Sequence, residues 1–112
     1  MSLRTVAQKV ASNLPQEQYR FDPTIIILIM EAIMTMIQTL MENCNPTPEE
    51  AVAMAQDPGP LQKVVLRLRV RRILGMRAYR NFGNEIVESM IKVTAESTSA
   101  EIQEIYDEVD GF

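Results

Sequence analysis

The sequence predicts an all-α fold: a small bundle of about five helices around one central apolar helix. Three observations predict it. The stretch 24–41, TIIILIMEAIMTMIQTLM, is apolar over most of its circumference at helical spacing. Two segments, Thr47 to Glu50 and Thr98 to Glu101, open with the Thr-x-x-Glu pattern of a capping box. Glycines number four and methionines eight, which suits a helical core packed by adaptable side chains. A chain of 112 residues is expected to form one domain with a modest core.

The first helix is expected over 2–14. Leu3, Val6, Val10 and Leu14 recur at helical spacing with Ala7 and Ala11 beside them, while Arg4, Gln8, Lys9 and Ser12 face outward. Pro15 ends it. This helix is expected to cover one side of the central helix, although its near-heptad spacing also suits a second subunit. Residues 15–21 read as a connector that Tyr19 and Phe21 anchor onto the core.

The central helix is expected over 23–43. Asp22 can cap its free amides and Pro23 takes the first helical position. Cys44-Asn45-Pro46 stops it, because proline disfavours helix at the residue before it. On a wheel of about 100° per residue, Thr24, Glu31, Thr35, Gln38, Thr39 and Glu42 share one arc of roughly 100°, with Leu28 the one strongly apolar residue among them. The remaining arc is wider than one core face needs and must be covered from several sides. Its candidate core or oligomer-interface residues are Ile26, Met30, Ile33, Met34, Ile37, Leu40 and Met41. A membrane span is not expected. Glu31 near the middle would cost at least ~2.5 kcal/mol in hydrocarbon, and no aromatic or basic belt flanks both ends.

The Thr47 box starts a short helix over 48–56, broken by Asp57-Pro58-Gly59-Pro60. From Pro60 to residue 81 the pattern is mixed. Residues 64–71, VVLRLRVR, alternate as a half-buried strand does. As a helix the segment shows two apolar patches: Leu61, Val64, Val65 and Leu68 on one side, Leu66, Val70, Ile73 and Leu74 on the other. No other segment offers a strand to pair with, so helix is expected and an intersubunit strand is the alternative. Gly75 can kink this helix, and Asn81-Phe82-Gly83-Asn84 ends or bends it. Ile86, Val87, Met90, Ile91 and Thr94 mark a helix over 84–95. The Thr98 box opens the last, over 99–109, with Ile102, Ile105, Tyr106 and Val109 on its apolar face.

The chemistry the chain can perform is narrow. It contains no histidine, which removes the common nucleophilic triads, the usual zinc and haem ligand sets and the ordinary near-neutral acid/base. Cys44 is the one cysteine and lies near a helix C-terminus, where the dipole disfavours its thiolate. Gly59, Gly75, Gly83 and Gly111 are too scattered for a phosphate-binding loop. No enzyme activity, cofactor, metal or small-molecule substrate is expected. Residues 1–14 are amphipathic without an apolar h-region, so a cytoplasmic or virion-associated chain is expected rather than a secreted one.

Charge is the second organising feature. The net charge of −4 conceals a basic block at 58–83, namely Lys63, Arg67, Arg69, Arg71, Arg72, Arg77 and Arg80 with no acidic residue. An acidic segment follows it, with Glu101, Glu104, Asp107, Glu108 and Asp110 as its candidate face. Asp107, Glu108 and Asp110 oppose the dipole at the end of the last helix, which calls for a positive partner. The arginines are expected to supply it, in this chain or the next. The resulting expectation is a non-enzymatic assembly or adaptor subunit, homo-oligomeric, of a kind that includes small phage or viral structural proteins. The alternative is a nucleic-acid-binding or regulatory protein acting through 63–80, where Arg can grip phosphates bidentately and Tyr79 and Phe82 can stack on bases.

Overall fold

A computed structural model describes residues 2–111, apart from the side chains of Leu40 and Asn43. The fold is all-α, and no strand occurs among the described residues. The helices are α1 (Leu3–Ser12), α2 (Glu17–Arg20), α3 (Pro23–Cys44), α4 (Pro48–Gln56), α5 (Pro60–Leu74), α6 (Met76–Ala78), α7 (Asn84–Glu96) and α8 (Ser99–Asp110), with a π turn over Tyr79–Gly83 between α6 and α7.

The apolar arc of α3 is covered from several sides, as its width requires. It packs against α1, α5 and α8 of the same chain. Ile25, Ile26, Ile29, Ala32 and Ile37 are buried, and Met30, Ile33, Met34, Met36 and Met41 are half-buried against the core. Leu28, alone among polar residues on the wheel, closes the seam between α3 and α5 beside Val70, Ile73 and Leu74. On α1, the predicted stripe of Leu3, Val6, Ala7, Val10 and Ala11 is fully inside. α7 lies against α1, and a buried hydrogen bond in which Ser89 Oγ donates to the Val10 carbonyl at 2.8 Å ties the two helices together.

Start and stop signals act through backbone amides. The Asp22 carboxylate accepts from the Thr24 amide, and Asn45 ends α3 in the left-handed conformation at φ 42°, which Asn tolerates better than most residues. Both capping boxes close completely. Thr47 and Thr98 accept from the Glu50 and Glu101 amides, whose carboxylates accept in return from the Thr47 and Thr98 amides at 3.1 Å. Those bonds, the backbone amides foremost, hold both carboxyls below the ordinary glutamate range. A depressed folded-state pKa contributes stability that is present above the unfolded value of about 4.3 and is lost as pH falls through the lower folded value. Thermal melts from neutral pH downward should therefore show a loss of stability on the acid side of the usual carboxyl range. A Glu50→Gln, Glu101→Gln chain should show a shallower one.

Three local expectations are corrected. Phe21 does not anchor the connector: it is 83% exposed, and Tyr19 alone reaches inward, its ring 4.8 Å from that of Phe82. Residues 15–21 are not plain connector either, since 17–20 form the single turn α2. The expected helix over 60–81 is divided at Gly75, whose φ of +86° is the left-handed region that glycine alone enters freely. Asn81-Phe82-Gly83-Asn84, expected to end or bend the helix, interrupts its regular winding without ending it. Ala78, Gly83 and Asn84 all keep right-handed helical angles, and the π turn carries the chain directly from α6 into α7. Its extra residue turns Phe82 and Gly83 into the core, which an uninterrupted α-helix through 79–83 would rotate elsewhere.

Candidate functional site

The helix α5 is the segment with most left over after folding. At about 100° per residue, Leu66, Val70, Ile73 and Leu74 fall on one side. That side is the one turned to the core: Leu66 and Val70 are buried, and Ile73 and Leu74 pack partly against them. The opposite patch is in the open. Leu61 is 76% exposed, Leu68 48%, Val64 47% and Val65 44%. The strand-like alternation of 64–71 thus resolves as a helix with two apolar sides, one used and one unused.

The basic block is spread around that unused side. Arg69 and Arg71 lie about 80° to either side of the Leu61 direction, and Arg72 lies almost in line with it. Among the described residues the block makes one ion pair, from Arg67 Nη2 to Glu88 Oε1 of α7 at 3.1 Å. Both partners are partly exposed, so the pair contributes at most about 1 kcal/mol. Arg71, Arg72, Arg77 and Arg80 are exposed, and Lys63 and Arg69 are half-exposed.

The expectation that these arginines meet the acidic segment, in this chain or the next, has one intrachain instance in Arg67 and Glu88 of α7, while Glu108 of α8 turns to a different partner. Glu108 Oε2 accepts a 2.6 Å hydrogen bond from the Leu3 amide, the first free N–H of α1. For Glu108 the positive partner is therefore the N-terminal end of α1 rather than a guanidinium. Glu101 closes its own capping box and also feels Lys9 of α1. Asp107 accepts from Gln103, and Asp107 and Asp110 are exposed, as is Glu104.

Of the α3 interface candidates, Ile26 and Ile37 are interior, while Met30, Ile33, Met34 and Met41 are half-buried by the chain's own helices. The Leu40 side chain lies outside the described residues. The residues that present the larger apolar surface are those of α5, noted in the sequence as a second patch but not singled out as an interface. The signal that finds them is the i, i+3, i+4, i+7 recurrence of Leu61, Val64, Val65 and Leu68 on a helix that already has a core face.

No group of acidic or cysteine side chains among the described residues is arranged to hold a metal ion. No helix of the described residues is long and apolar enough to cross a membrane. An open groove of about 460 Å³ runs between α4 and α8, bordered by Glu49, Val52, Gln56 and Gln103. Comparison with known protein families, curated proteins and solved structures finds no match for this chain.

Proposed function

We propose that this chain is a non-enzymatic assembly subunit that associates with further copies of itself, using the outward face of α5. One observation carries the reading. Leu61, Val64, Val65 and Leu68 form a continuous apolar stripe in the open, on a helix whose other side already packs the core. Isolated exposed leucines need no explanation, but four apolar side chains in line on one helix are the form a docking surface takes. Light scattering on the eluting chain, over a wide range of concentration, tests it. The expected mass rises above that of the monomer as concentration increases. A monomer mass throughout overturns the reading.

A second reading is favoured by the arginines of the block other than Arg67, which make no ion pair among the described residues and offer a basic face to an anionic partner such as nucleic acid. Its signature is a steep salt dependence of oligonucleotide binding that disappears on Arg69→Ala, Arg71→Ala, Arg72→Ala substitution. The exposed leucines and valines between those arginines have no use in phosphate contact, which is why self-association is preferred.

A further inference from the structure

We infer that two copies pair across α5 in antiparallel register, on a two-fold axis that passes between Val64 and Val65. This rests on the reading of the chain as a self-associating subunit and adds the register. The stripe Leu61-x-x-Val64-Val65-x-x-Leu68 reads the same in both directions. An isologous contact requires such self-complementarity, since residue i of one copy meets j of the other and j meets i. Turned about the axis, Leu61 meets Leu68 of the second copy, while Val64 and Val65, on opposite flanks of the stripe, each lie beside their own counterpart. Large faces large at the ends, and the smaller β-branched pair sits at the centre, where the helix axes come closest.

Charge selects the same arrangement. Side by side in parallel, the arginine-rich ends of two α5 helices would lie about 8–10 Å apart with no carboxylate between them, because residues 58–83 hold none. In antiparallel register Arg72 of one copy is roughly 22 Å along the seam from Arg72 of the other, and Arg69 is roughly 13 Å from its counterpart. Both separations exceed the screening length of about 8 Å at physiological salt, so repulsion fades. Arg72 instead comes level with position 57 of the second copy, where exposed Asp57 makes no ion pair within its own chain among the described residues and offsets the positive end of that helix. The stripe itself covers on the order of a few hundred Å². That is less than the roughly 800 Å² per partner of a standard stable interface, so the dimer is weak and depends on concentration.

Disulfide trapping in a Cys44→Ser background tests the register, because the four stripe positions are exposed and tolerate cysteine. A disulfide needs Cβ atoms about 3.5–4.5 Å apart. Two copies of position 61 are about 10 Å apart along an antiparallel seam, whereas position 61 meets 68 and position 65 lies beside its own counterpart. The expected result is a covalent dimer from Val65→Cys alone and from Leu61→Cys mixed with Leu68→Cys, with none from either of the last two alone. Efficient linking of Leu61→Cys to itself overturns the register in favour of a parallel pair. Absence of every cross-link at a concentration where light scattering still reports dimers overturns the α5 seam but leaves self-association standing. Monomers throughout overturn both.

Discussion

Ile29→Asp should leave the chain unfolded, while Ile27→Asp, two residues away on the same helix, should leave it intact. Ile29 is 1% exposed and lies among Ala32, Val70 and Ile86 where α3, α5 and α7 meet; Ile27 is 59% exposed. An unpaired carboxylate in the first position either ionises at a cost of several kcal/mol or stays protonated with its hydrogen bonds unmade. The loss of isoleucine packing adds about 2–5 kcal/mol. Against a total stability of about 5–15 kcal/mol for a domain this size, the sum removes most or all of the folded state. At Ile27 the expected change is within about 0.5 kcal/mol. Far-UV circular dichroism and thermal melts of the two variants check the contrast. A folded Ile29→Asp chain would mean that the centre of the bundle lies elsewhere.

Gly83→Ala should be destabilising, by up to about 2 kcal/mol net, although Gly83 has ordinary helical angles and alanine is the better helix former. The reason is steric. A Cβ at Gly83 would run into Tyr79 Cδ2 and lie 2.7 Å from Cγ, near the root of the ring rather than its free end. The π turn brings that ring over the next turn of backbone, and Gly83 is the residue whose missing side chain admits it. Overpacking of this kind costs about 1–3 kcal/mol, against a propensity gain of about 1. Urea denaturation of Gly83→Ala, Tyr79→Ala and the double variant measures the coupling. The double variant should be more stable than the two single losses added together, because the ring that clashes is gone. Strict additivity would place the clash elsewhere.

These cases mark the border of what the residues disclose in advance. Local signals were legible: the two capping boxes, Pro23 behind Asp22, and the interior stripes of α1, α7 and α8 follow from hydrogen-bonding capacity and helical spacing. The width of the α3 apolar arc told that it must be surrounded. What could not be read was which of two equivalent options tertiary packing takes. α5 displays two apolar sides, and spacing alone does not say which one meets the core. Gly75 and Gly83 are both glycines in a helical segment, yet one is needed for a positive φ and the other for a ring lying over it. Phe21 is a large aromatic beside a helix start, and nothing in its neighbours announces that it stays in water. The acidic end of α8 was legible as a group in want of positive charge. That the charge would be a helix dipole was not, because a free amide has no letter in the sequence.

The Glu108 contact with Leu3 also joins segments that lie far apart along the chain. α1 receives its carboxylate partner from 105 residues further along the chain. Ser89, which secures the middle of α1 through Val10, arrives 79 residues after that carbonyl. In the fold α3 covers one flank of α1, α7 the other, and α8 the free amide at its start. Part of the surroundings of α1 is thus supplied by segments remote from it in sequence, and contacts of that range close the bundle as a whole rather than helix by helix.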